Sequence, residues 1–106
     1  MAETTNITVV RTDADRLMNI IKENNLRYDT STEYENVIVV DYMRWYRNKK
    51  NGRIERHYCF RAFKINTDGS IERFIGRLDT SKLILHDGQY KFLDAISYEF
   101  IKQLGR

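Results

Sequence analysis

The chain has 106 residues, of which 42% are hydrophobic and 31% charged, with one cysteine, no proline and a formal net charge of +3. This length points to a single domain spanning residues 1–106, and this balance argues against disorder. The lone Cys59 excludes an intramolecular disulfide and points to a reducing, cytoplasmic setting.

No apolar run approaches the roughly 18 residues needed to span a bilayer, so no membrane partner is expected. The opening segment MAETTNITVV lacks the basic and apolar regions of a secretory signal. Asn, Ile, Lys and Tyr are plentiful, a bias that an AT-rich genome such as that of many phages produces.

In chain order, Asn6 to Val10 reads as a short strand. Thr12-Asp13-Ala14-Asp15 resembles a capping box, with the Thr12 hydroxyl satisfying free amides and Asp15 favoured by the helix dipole. Leu17, Met18, Ile20 and Ile21 follow at helical spacing, and Asn24-Asn25 closes the helix. Residues 27–36, RYDTSTEYEN, read as a polar surface loop.

Three strands follow. Asn51-Gly52 between two β-prone runs is a strong hairpin signal, and as a two-residue turn it sets Trp45 opposite Tyr58 and Met43 opposite Phe60. Asn66-Thr67-Asp68-Gly69 suits a three-residue turn with a glycine bulge, pairing Lys64 with Glu72 and Ile65 with Ile71. One sheet face then gathers Val39, Met43, Trp45, Tyr58, Phe60, Ala62, Phe74 and Leu78, and is the expected core face. The other gathers Val40, Tyr42, Arg44, Tyr46, His57, Cys59, Arg61, Phe63, Arg73 and Arg77.

Lys82 to Leu85 suits a short strand. From Tyr90 the helical period returns, with Phe92, Leu93, Ile96, Phe100 and Leu104 on one stripe and Gly105 as its stop. The expected fold is thus α/β (more narrowly α+β), a single domain in β-α-β-β-β-α order, with two helices on one face of an antiparallel sheet.

Charge is segregated along this chain. Residues 44–57, RWYRNKKNGRIERH, hold six basic side chains and one acid, a local charge of +5, whereas residues 1–43 sum to −4. Cations at phosphate spacing beside aromatic planes are what nucleic-acid binding requires. The candidate contacts are Arg47, Lys49, Lys50 and Arg53 at the hairpin tip, with Arg44, Tyr46, Arg56, His57, Arg61, Arg73 and Arg77 in the strands and beyond. The bland alternative is a solvated hairpin whose long charged side chains keep a sheet soluble.

Other chemistry is thin. His57 and Cys59 sit two apart on one strand face, yet no second pair has ligand spacing, so neither a structural metal nor a Cys-His nucleophile is expected. The five glycines are dispersed, so no phosphate-binding glycine loop exists and no cofactor is expected. Asp29, Glu33 and Glu35 around Tyr34 suit either a solvated loop or a dock for a basic partner.

The element order resembles, in topology alone, RelE-type bacterial ribonuclease toxins, which keeps a metal-free nuclease as a third reading. The α-β-β-β-α portion, roughly residues 13–104, has the order of a double-stranded-RNA-binding domain. It has QYKFLDAISYEF in place of that family's lysine-rich helix start, so neither family is assigned. The leading expectation is a non-catalytic binding module for nucleic acid. The second is a protein-binding inhibitor or adaptor of phage type, acting on a host protein, because Tyr, Trp and Arg also enrich protein interfaces.

Overall fold

A computed structural model of the chain describes residues 11–104, so the expected strand at Asn6–Val10 and the stop at Gly105 lie outside the described residues. Helix α1 (Asp13–Asn24) is followed by strands β1 (Tyr28–Ser31), β2 (Val37–Arg47), β3 (Ile54–Ile65) and β4 (Ile71–Arg73). A short 3-10 turn (Thr80–Lys82), strand β5 (Leu83–His86) and helix α2 (Ala95–Gln103) complete the order. The strands form one antiparallel sheet in the order β4-β3-β2-β1-β5. This is the mixed α+β architecture expected from the sequence. No helix among the described residues is long and apolar enough to cross a membrane.

The caps follow from local chemistry. The Thr12 hydroxyl accepts from the Asp15 amide at 3.2 Å, while the Asp15 carboxylate reaches back to the Arg11 amide, one residue before the partner a regular capping box uses. Asn25 ends α1 in the left-handed region, φ 50°. Asp94 caps α2 by accepting from the amide and hydroxyl of Ser97. Helix α2 therefore begins later than the period from Tyr90 suggests, and residues 89–92 instead run extended. Gln89 bridges Leu26 in parallel, and Phe92 bridges Met43.

Both helices pack on one face of the sheet. Leu17, Ile20 and Ile21 of α1, Ile101 of α2, and Leu26 and Leu104 meet Ile38, Val40 and Tyr42 of β2 and Phe63 of β3. This corrects the expected face: the helices cover the Val40–Tyr42–Phe63 side, and the Val39–Met43–Trp45–Tyr58–Phe60 side is turned away from them. Ile96, expected on the helix stripe, is exposed, and Ile101 takes the core position.

The turn at 66–70 has the expected register, with Lys64 opposite Glu72 and Ile65 opposite Ile71. The first hairpin differs from expectation by two residues: Trp45 lies opposite Arg56, and Met43 opposite Tyr58. The cause is Asn48, whose side-chain oxygen accepts from the Lys50 amide, while its own backbone amide donates to the Arg53 carbonyl at 2.8 Å. The loop is then Lys49-Lys50-Asn51-Gly52, with only Gly52 at positive φ (71°). A slip of two residues preserves which side chains share a face.

The expected loop at 27–36 contains β1, a central strand that its polar residues conceal. Tyr28 stacks on His86 with centroids 4.4 Å apart, and the Thr30 hydroxyl lies 3.1 Å from His86 Nε2.

Candidate functional site

Strands β2 and β3 have 11 and 12 residues, so each runs about 36 Å or more at roughly 3.3 Å per residue. Helix α1, with 12 residues, is only about 18 Å long. The helices therefore cover mainly one half of the long hairpin, and beyond the contacts of Trp45 with Phe92 and of Arg44 with Tyr98 its outer half is largely exposed.

On the face turned away from the helices, Trp45, Tyr58 and Phe60 are 59%, 54% and 61% exposed. Trp45 lies parallel on Phe92, with centroids 4.6 Å apart and planes 12° apart, so one side of the indole is supported from within. Tyr90 meets Tyr58 edge-on at 5.0 Å and Phe60 at 6.2 Å. Arg56 stands opposite Trp45 in the pairing register, exposed on the same face. Arg47, also on this face, donates from Nη1 to the Gly52 carbonyl at 2.8 Å, tying the tip to its strand.

The opposite face of the outer hairpin carries Arg44 across from His57, with Tyr46 edge-on to His57 at 5.1 Å. The phenol of Tyr98 raises the already high pKa of Arg44, so its guanidinium stays charged. Lys49, Lys50 and Arg53 are exposed at the tip. Arg61 is half-buried farther down, opposite Val40.

The structure thus gathers Arg44, Tyr46, Arg47, Lys49, Lys50, Arg53, Arg56 and His57 at one end, wrapped around two faces rather than laid on one. It does not bring Arg73 and Arg77 to them. Arg73 pairs with Phe63 at the far end of β3. Arg77 lies beyond β4, off the sheet face, and its carbonyl accepts from the Tyr34 hydroxyl at 3.1 Å.

Sequence reasoning also missed a polar group at the foot of the hairpin. Asp41 alternates with Val39 and Met43 and sits on the open face, yet is only 1% exposed. Its amide donates to the Arg27 carbonyl, and its Oδ2 lies 3.3 Å from Arg27 Nε. The Arg27 guanidinium in turn lies over the Tyr90 ring, 5.4 Å from its centroid. Burial, and then the nearby Asp29, push the Asp41 carboxyl up to about 6, with Arg27 and the Tyr90 hydroxyl opposing. The available signal was a charged residue within the apolar run VIVVDYM.

No protein-family model matches the chain, and no curated protein sequence or solved structure does either. A functional reading therefore rests on the geometry of the site itself.

Proposed function

We propose that the chain is a non-catalytic binding module that engages single-stranded nucleic acid with its projecting hairpin. The observation that carries this reading is the exposed row Trp45, Tyr58 and Phe60 beside a tip of +5 local charge. Aromatic planes favour unpaired bases, because each base offers a π-face only when unstacked from its neighbours. The basic tip supplies the phosphate contacts that dominate affinity. Trp45, backed by Phe92, is ready to stack without first ordering its ring.

The test is titration of the protein with fluorescently labelled single-stranded oligonucleotides. Trp45→Ala is expected to weaken binding by about 1–3 kcal/mol if a base stacks there. Unchanged affinity in that variant would remove the aromatic row from the interface.

A second reading has one observation of its own. Strand β4 pairs with β3 only at residues 63–65, so among the described residues the β3 edge from Ile54 to Arg61 has no neighbouring strand. A protein partner adding a strand there would use main-chain pairing for affinity and the aromatic row for specificity. A complex that persists after nuclease treatment at roughly 0.5 M salt would favour this reading, since such salt screens phosphate charge.

A further inference from the structure

The foot of the hairpin borders a cleft of about 560 Å³ on the open sheet face. Its apolar walls are Val39, Phe60, Leu78, Leu83 and Leu85, and its charged groups are Arg27, Asp29 and Asp41. Backbone bonds hold these parts together: Asp41 donates to the Arg27 carbonyl, and Arg27 donates to the Gln89 carbonyl at 3.1 Å, placing Tyr90 over the site.

Asp41 is nearly fully buried, and among the described residues neither its Oδ1 nor the Arg27 Nε beside its Oδ2 has a hydrogen-bond partner, although the Tyr90 hydroxyl is close enough to favour the charged carboxylate. A buried carboxylate oxygen without a donor is costly, and here two carboxylates face one guanidinium. An anion would meet Asp29 and Asp41. A neutral apolar molecule would leave Oδ1 without a donor. A guanidinium would find no bidentate partner here, since Oδ2 already faces Arg27, and so would lose the fork geometry that favours it over an ammonium. A compact ammonium, with three donors on a single nitrogen, meets the requirement.

We infer that this cleft binds a primary amine with an apolar body, its ammonium seated at Asp41 and Asp29 and its apolar part against Val39, Phe60 and the leucines. The site shares Phe60 with the aromatic row but uses neither the tip cations nor Trp45, so loss of oligonucleotide binding on Trp45→Ala and loss of amine binding on Asp41→Asn report on different groups.

The groups facing Asp41 are Arg27 from the segment before β1, Asp29 from β1 and Tyr90 from the segment after β5, while Phe60, opposite it on β3, is uncharged. Protonation of Asp41 near pH 6 removes the charge that the amine pairs with. Binding therefore weakens as the pH falls below that value.

The experiment is an NMR titration of the full isotope-labelled chain with 3-phenylpropylamine, 3-phenylpropan-1-ol and 3-phenylpropanoate. The amine should give saturable shifts at the amides of Asp29, Asp41 and Tyr90. The alcohol and the acid should bind about tenfold more weakly or worse, the worth of a charge-assisted hydrogen bond. Asp41→Asn should lose the same factor and the pH dependence with it. Asp29→Asn should weaken the amine in the same direction, and provides a second variant if Asp41→Asn does not fold. Alcohol binding as tight as the amine, or no saturable shift with the amine, overturns the inference in the unaltered protein.

Discussion

At the scale of single residues, Asp41 has the most to lose on folding. Its carboxyl titrates near 3.8 in ordinary surroundings and near 6 in the folded chain, because burial outweighs Arg27. The native state thus binds that proton more tightly than the unfolded one. Its contribution is fully present below the ordinary value and is lost as the pH rises through 6. Asparagine keeps the shape and cannot ionise. Replacing Asp41 by Asn should therefore improve relative stability by about 2 kcal/mol between roughly pH 4 and pH 8. Denaturant melts of both proteins at the two pH values measure this difference, and the subtraction cancels the other carboxylates. A constant difference would mean that pairing with Arg27 and Tyr90 fully offsets the burial of Asp41, leaving its folded and unfolded titrations alike. Arg27 remains beside the group in both proteins, so its own desolvation does not disturb the comparison.

At the scale of elements, the two turns of the sheet make a matched pair. Gly52 and Gly69 both have positive φ, 71° and 87°. A Cβ at Gly52 would meet nothing, whereas one at Gly69 would lie 2.4 Å from the Thr12 side chain, where the turn receives the Ala14 amide at the start of α1. Gly52→Ala should cost about 1 kcal/mol for conformation alone. Gly69→Ala should cost more, roughly 2–3 kcal/mol, as backbone strain joins overpacking against the helix cap. Equal losses in urea melts would show that Thr12 moves aside freely.

The same turns show what local chemistry reveals. The 66–70 turn is legible because Gly69 alone sets its length. The 48–53 loop is not, because the Asn48 side chain opens a turn earlier than Asn51-Gly52 suggests. Its parity survives, but parity does not say which face the helices choose. Val37, Ile38, Val39 and Val40 point alternately to the two faces and are all buried, so only the covering segments from elsewhere in the chain decide between the faces. Strand β1 is hidden for a related reason, since Tyr28-Asp29-Thr30-Ser31 has no apolar alternation and is held by its neighbours β2 and β5. Among the site residues, the tip cluster was readable from charge alone. The Asp41–Arg27–Tyr90 group was not, because only the fold joins residues so far apart in the chain.

At the scale of the whole molecule, charge and packing are separated. The core lies where α1 and α2 cover the inner half of the hairpin, and the excess positive charge lies at the outer end. Substitutions at the tip should leave the fold intact, since Lys49, Lys50 and Arg53 are exposed and the side chain of Arg47, at the end of β2, bonds among the described residues to the carbonyl of Gly52 in the adjoining loop. The nucleic-acid reading then separates into two measurable parts. Replacing Arg47, Lys49, Lys50 and Arg53 together by Ala should flatten the plot of log affinity against log salt by about 0.7 for each single-strand phosphate that the tip no longer neutralises. Trp45→Ala should lower affinity at every salt concentration and leave that slope in place, because stacking releases no counterions. Lys49, Lys50 and Arg53 lie out at the tip, so their effects should add to that of Trp45→Ala, whereas Arg47, two residues from Trp45 on the same face of β2, is close enough to couple with it. Oligonucleotide titrations at several salt concentrations, with thermal melts of each variant, test all of this together. A tip variant that melts like the parent and keeps the parent's slope would remove the charged tip from the binding surface, and would leave the open β3 edge and its aromatic row as a surface for protein.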